Sequence, residues 1–432
     1  MHSFRYQQDR LFCEGVDLSA IAGAVGTPAY VYSAETIRNN FRRLDHALAE
    51  LGHAICYAMK ANSNLAILNL LAAEGADFDI VSGGELFRIL KAGGRADRCT
   101  FAGVGKTRAE IEFALREGIY SFNVESEAEM TFIDRVAGEF GVKAPISIRV
   151  NPDVDAGTHK YISTGKSQNK FGIGIDRIVD VYRRAGELPN LHIRGVQTHI
   201  GSQILDPKPF AEAVAKLVPL VQTLKASHPT IEFFSIGGGI GIVYDPALES
   251  GDPAWWSAAD HPRRITPEAY AAAVVPLLKP LDLKILLEPG RFIVGNAGVL
   301  LASVLYVKKT PAKIFTIVDA AMNDLIRPAL YEGHHEIHPL DKSGARDVIP
   351  MDVVGPVCES GDFFAQDREI PALESGDRIA LLSAGAYGFV MSSTYNSRPL
   401  LPEVLVEGDR YTVIRERQNY ADLVRGEIVP GA

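Results

Sequence analysis

The stretch ICYAMKANSN, Ile55 to Asn64, opens as an apolar strand and ends with Lys60, a cation that the strand pattern does not need. Its reading decides the fold because the same event recurs along the chain: a short β-rich run, a polar residue where it stops, then a helical pattern. Such runs fall at ICYAM (55–59), DFDIV (77–81), CTFAG (99–103), YSFNV (120–124), ISIRV (146–150), IRGVQTHI (193–200), IEFFSIG (231–237) and LKILLEPG (283–290). Between them NLAILNLLAAEG, GELFRILKAGG, TRAEIEFALREG and ESEAEMTFIDRVAGEF place apolar residues at three- and four-residue spacing. Many of these stretches close on glycine, a helix C-cap signal. Eight strands alternating with helices match a (β/α)8 TIM barrel of about 250 residues. An open doubly wound sheet is the main rival, because a linear pattern does not show whether a sheet closes.

After Arg291 the pattern changes. VLLASVLYVKKT, KIFTIVDAAM, HEIHPL, DVIPMDVVG, DRIALLSAG and EVLVEGDRYTVI are strand-like, with Gly, Pro and Asp turns and few helices between them. The expected organisation is therefore a barrel over 33–296 and a discontinuous, mainly β domain made of 1–32 and 297–432, which the strand-like TPAYVYS joins. The loops at 151–171 and 242–265 are long for a compact barrel. The length of 432 residues suits one large domain and a second, and 47% hydrophobic residues suffice for a sizeable core. A formal charge of −9 argues against nucleic-acid and anionic-membrane surfaces. Cys13, Cys56, Cys99 and Cys358 are scattered without a CxxC pair, so neither a disulfide framework nor a zinc site is expected. No apolar run is long enough to span a membrane, the start MHSFRYQQDR lacks a signal pattern, and a cytoplasmic location is expected.

Polar residues mark the strand ends. Lys60 ends the first strand and Ser82 follows the second. Asn151 ends the fifth, and His199 with Gly201, Ser202 and Gln203 ends the sixth. Gly237-Gly238-Gly239 ends the seventh, and Glu288, Pro289, Gly290 and Arg291 end the eighth. In a (β/α)8 barrel these ends converge on one face, the one that holds active sites. A dinucleotide fingerprint from Gly237 fails because Ile242 stands where its last glycine belongs. Glycines after a strand still free backbone N–H groups for one phosphate. Lysine, glycine cradle, acid and histidine together suit pyridoxal phosphate.

YAMKAN, HIGSQ, GGGIG, EPGR, GPVCESGD and GAYGF, in that order along nearly the whole chain, resemble the motif series of the alanine-racemase-like pyridoxal-phosphate decarboxylases. RVNPDVDAGTHKYISTGKSQNKFGI (149–173) is especially similar to the meso-diaminopimelate decarboxylases in that group. The resemblance implies that Lys60 is the Schiff-base lysine and that His199 lies against the pyridine ring. Ser202, Gly237, Gly238, Gly239 and Tyr387 would hold the phosphate side of the cofactor, with Gly290 and Arg291 beside them. Glu288 would pair with the ring nitrogen, and Asp79 would support the lysine or the histidine. The racemase branch typically offers an arginine where this chain has Glu288, so the acid speaks for decarboxylation. Arg291, Arg327 and Tyr331 match positions that bind the far carboxylate of the substrate, and Tyr387 also faces it. Cys358 matches the proton donor and Glu359 the acid for the distal amine. Both would come from the partner chain of an obligate homodimer. The implied reaction turns meso-2,6-diaminopimelate into L-lysine and CO2, the last step of lysine biosynthesis. The same chemistry on D-ornithine, D-lysine or carboxynorspermidine is the alternative.

Plainer readings compete residue by residue. Taken alone, Cys358 is more often a small buried hydrophobe, His199 a satisfied core histidine, and the segment of Arg327 and Tyr331 a solvated surface. His334, His335 and His338 are too poorly supported by other ligands for a metal, and none is expected.

Overall fold

A computed structural model describes residues 1–154, 170–257, 265–344 and 346–430. The long loop read at 151–171 falls mainly outside these residues, as does 258–264 of the loop read at 242–265. The chain forms two compact units. One is Arg38–Ile242 with His261–Phe292; the other is Met1–Ile37 with Val243–Asp260 and Ile293–Ala432.

The first unit is a closed barrel of eight parallel strands: β1 His53–Ala58, β2 Asp77–Ile80, β3 Cys99–Phe101, β4 Ser121–Val124, β5 Ala144–Asn151, β6 Leu191–Thr198, β7 Phe233–Ser235 and β8 Lys284–Leu287. Each pairs with the next, and β8 returns to β1 through Ile285↔His53, Leu286↔Ala54 and Leu287↔Ile55. Closure removes the open-sheet rival. The helical stretches form as read: α1 Leu65–Ala73, α2 Gly83–Lys91, α3 Arg108–Glu117 and α4 Glu127–Phe140. Side-chain oxygens of Asn64, Ser82, Thr107 and Ser126 cap their first turns by accepting backbone N–H groups. One detail differs from the sequence reading. β1 stops at Ala58, and Lys60 lies in the 3₁₀ turn Met59–Ala61 that follows it.

Inside the barrel, Cys56, Phe233 and Leu286 form a small apolar plug with Ala54 and Tyr120 packed against it. Two residues further along β7 and β8 the same inner face turns polar, at Ser235 and Glu288. Asp79, Asn123, Arg149 and Gln197 are buried as well. Polar groups in such a place need partners or function, because burying one unpaired costs on the order of 1–3 kcal/mol.

The second unit is mainly β. Its sheet runs in the order 363–371, 348–354, 314–318, 298–309, 29–33, 403–407 and 410–415, with 378–381 and 337–339 attached off that path. TPAYVYS supplies Ala29–Ser33, antiparallel to Gly298–Leu301 and parallel to Glu403–Val406. Phe4, Leu11, Leu18, Ile21, Val31, Val299, Leu301, Ala380 and Val404 share its core. Two parts escaped the sequence reading: the strand Phe363–Pro371 and the three-stranded sheet Phe4–Gln7, Arg10–Cys13 and Val16–Asp17. Among the described residues no helix is long and apolar enough to cross a membrane.

Candidate active site

In the barrel unit, the residues that end the strands gather around β1, β2, β6, β7 and β8. Lys60 Nζ lies 3.2 Å from Asp79 Oδ2; the Lys60 side chain is 42% exposed and the Asp79 side chain fully buried. Glu288, which follows β8, accepts from Ser235 Oγ at 2.6 Å and from Gln197 Nε2 at 3.0 and 3.3 Å. Burial first, then the negative charge of Asp79, pushes the Glu288 carboxyl up to about 7, against those hydrogen bonds and Lys60.

His199 is held as a neutral ring. Burial, then the positive charges of Arg149 and Lys60, keep its pKa well below the usual imidazole value. Gly238 N–H donates to its Nδ1 at 3.2 Å, so the ring proton sits on Nε2. The Gly237-Gly238-Gly239 turn admits no side chain. A Cβ on Gly238 would lie 2.0 Å from Glu288 O, and Gly237 and Gly239 have φ of +73° and +111°. Arg291 Nη2 donates to Ser202 Oγ at 3.2 Å, linking the ends of β6 and β8. A Cβ on Gly290 would stand 3.0 Å from Ala58 O.

These groups fit pyridoxal phosphate. The set offers an accessible primary amine for an aldehyde, a buried acid for a pyridine nitrogen and a neutral imidazole. Its backbone turn is one that a Cβ would fill.

In the β-rich unit, Arg327 is buried, which overturns the solvated-surface reading of its segment. Its Nη1 donates to His335 Nε2 at 2.7 Å, and its guanidinium lies over the Tyr244 ring with 4.5 Å to the centroid. His335 in turn gives Nδ1–H to Leu382 O at 2.7 Å, so His335 orients an arginine. His334 bonds Arg368 and His338 bonds Glu336, so the histidine cluster is divided among separate partners. Tyr331 is half-buried at the end of the short helix Arg327–Tyr331.

Cys358 is exposed, against the buried-hydrophobe reading, and its backbone N–H donates to Asn396 Oδ1 at 3.2 Å. Glu359 is exposed beside it and accepts from the Tyr395 phenol. Tyr387, Asn396 and Ser397 all hold a positive φ near +55°, a conformation that costs about 1 kcal/mol or more per residue and tends to cluster at functional loops.

Several groups bonded to these residues belong to none of the sequence motifs. Gln197 and Ser235 could have been found from strand alternation, because each stands two residues before a marked position, His199 and Gly237. Tyr244, Tyr395 and Asn396 left no comparable signal.

A profile of the family "Pyridoxal-dependent decarboxylase, pyridoxal binding domain" matches residues 34–295. The chain is 51% identical to a diaminopimelate decarboxylase of Pseudomonas fluorescens, with 99% of both chains covered. It is 48% identical to one of Vibrio cholerae, with 98% of both covered. Among solved structures it is similar to diaminopimelate decarboxylase from Helicobacter pylori complexed with L-lysine. There the TM-score is 0.87 at 43% identity, over 94% of this chain and 98% of that one. The enzyme from M. jannaschii in co-complex with L-lysine gives a TM-score of 0.90 at 36% identity, over 99% and 98%. Similarity of this extent reaches through both units, and the chain belongs to the diaminopimelate decarboxylase family of pyridoxal-dependent decarboxylases.

Proposed function

We propose that this chain decarboxylates meso-2,6-diaminopimelate at its D-configured carbon, giving L-lysine and CO2, with pyridoxal phosphate held on Lys60. The observation that carries the reading is the full-length identity to diaminopimelate decarboxylases, 51% over 99% of both chains in one case. When bound, the cofactor supplies an electron sink for the pair left by departing CO2.

The chain's own residues do the remaining work. Asp79, 3.2 Å from Lys60 Nζ, would orient that nitrogen towards the cofactor. The neutral ring of His199 would pack against the cofactor without adding charge, and Gly237, Gly238 and Gly239, with Ser202, Gly290 and Tyr387, would hold its phosphate side. Glu288, as a carboxylate, would accept a hydrogen bond from the ring nitrogen and keep that nitrogen protonated, a role that suits a buried acid and not an arginine. That acid favours decarboxylation over racemisation. Arg327, pre-oriented by His335, offers a guanidinium fork to the far carboxylate, with Arg291, Tyr331 and Tyr387 assisting. Glu359 takes the far ammonium. Cys358 Sγ–H gives its proton to the carbon that lost CO2, and solvent restores the thiol.

We further propose that Cys358 and Glu359 act in the site of a partner subunit, so that the active assembly is a homodimer, and that the enzyme works in the cytoplasm. Their exposure on one loop supports this arrangement. The related reading, the same chemistry on D-ornithine, D-lysine or carboxynorspermidine, is tested in the same assay. The holoenzyme is given each amino acid, and CO2 and L-lysine are measured. Lysine from diaminopimelate, with no CO2 from the others, supports the proposal. CO2 only from the others keeps the cofactor chemistry and discards the roles of Glu359 and the arginines.

A further inference from the structure

Gln197 lies on β6, two residues before His199, and is 1% exposed. Its partner Glu288 takes a hydrogen bond from Ser235 Oγ and, as a carboxylate, can only accept. Where Glu288 is ionised, the amide of Gln197 presents its NH2 group, which reaches the two Glu288 oxygens at 3.0 and 3.3 Å. That orientation turns Oε1 away, into a buried place where no described residue donates to it.

The neighbouring strand supplies the complement. β5 and β6 pair in parallel with Gln197 directly beside Arg149, so both side chains leave the same face of the sheet. Arg149 is buried, gives Nη1 to Glu125 Oε2 at 3.0 Å, and keeps Nη2 buried with no hydrogen-bond partner among the described residues. Glu125 is itself fixed by the backbone N–H groups of Gly103 and Gly172. An amide oxygen and a guanidinium N–H on register neighbours, each with unused capacity and not bonded to each other, match in charge and chemistry for one bridging water.

We propose that Gln197 is a positioning residue for Glu288: its carbonyl is aligned by Arg149, and its amide N–H groups fix the orientation and charge of the carboxylate. The catalytic consequence rests on the reading of Glu288 as the partner of the ring nitrogen, whereas the relay concerns protein groups alone. The charged and titratable groups that act on Glu288 include Asp79 from β2, Lys60 after β1 and the Cys56 thiol on β1, and none of them is bonded to Gln197.

The test follows the Glu288 carboxyl by its infrared band in the full-length chain, without and with cofactor, assigned by loss of the band in Glu288→Gln. Gln197→Met keeps the length and removes both hydrogen-bonding ends. It should raise the Glu288 midpoint in the cofactor-free chain by about one pH unit, as expected when a carboxylate loses a buried donor. Gln197→Glu should raise it further, by adding a second acid, and serves as the test if the methionine variant does not fold. In the holoenzyme, the pH profile of kcat should move in the same direction while KM changes less than about threefold, since the side-chain bonds of Gln197 go to Glu288 and not to a residue assigned to the substrate.

A midpoint unchanged in a variant that melts like the wild type overturns the relay. If the midpoint moves but Glu288→Gln leaves the absorption of the bound cofactor unaltered, the positioning of Glu288 by Gln197 stands and the ring-nitrogen reading falls.

Discussion

At the scale of single residues, Lys60 carries the most direct prediction. Lys60→Ala should abolish both the absorbance of covalently held cofactor and turnover, read in one spectrophotometric assay. Near-normal turnover would remove Lys60 from the mechanism. Cys358→Ala should lower kcat tenfold or more, within the ~10²–10⁴ range typical of acid–base groups, with KM little changed.

Glu288 predicts a pH dependence of stability in the cofactor-free chain. Its folded value, about 7, lies above its ordinary 4.5, so the folded state holds a proton that the unfolded chain has released between those values. Stability from this group is full below pH 4.5 and falls as pH rises towards 7, by on the order of 2–3 kcal/mol. Glu288→Gln should therefore gain stability over the wild type as pH rises through that window. Urea unfolding at several pH values measures the difference, and a constant difference would contradict the burial argument. The neighbouring His199 runs the other way: its depressed pKa costs stability as pH falls below 6.5, in wild type and variant alike.

Elements show what the sequence made legible and what it hid. The barrel strands were readable because each is a short apolar run closed by a polar residue, and the helices because their caps and periodicity agree. The apolar run through Met59 predicts Lys60 at a strand end, yet the backbone turns one residue earlier, and the amine lies beside Asp79. The strand FFAQDREIP was missed because Gln366, Asp367 and Arg368 break its apolar run, and its pairing with Val348–Val354 is a tertiary fact. Gln197 hid behind the more conspicuous His199, although the period of two places both on the inner face.

The glycine turn after β7 can be tested at this scale. Gly238→Ala puts a methyl group 2.0 Å from a backbone oxygen that has no rotamer with which to retreat. The ends of β7 and β8 must part, which should cost about 1–3 kcal/mol and weaken cofactor binding at least tenfold. Calorimetry and cofactor titration would show this. Wild-type affinity would mean that the turn does not serve as the cradle.

For the whole molecule, the question is whether one chain suffices. Lys60 and Glu288 belong to the barrel unit, whereas Cys358 and Glu359 lie exposed in the β-rich unit, with Glu359 bonded to Tyr395. An exposed thiol is a poor proton donor to a water-excluded carbon unless another surface covers it, and in the homodimer proposed above a second copy of the chain would be that cover. This arrangement makes a quantitative prediction. Lys60→Ala and Cys358→Ala should each be nearly inactive alone, because every site in either homodimer lacks one of the two groups. Mixed one to one under conditions that exchange subunits, half of the dimers become hybrids. If the sites are shared, one site in each hybrid draws both defects and the other draws none, so activity should recover to about a quarter of the wild-type value. If each chain supplies its own Cys358, no hybrid site is intact and the mixture stays inactive. Sedimentation of the same mixture would confirm that subunits had exchanged, so a failure to recover would count against the shared site itself.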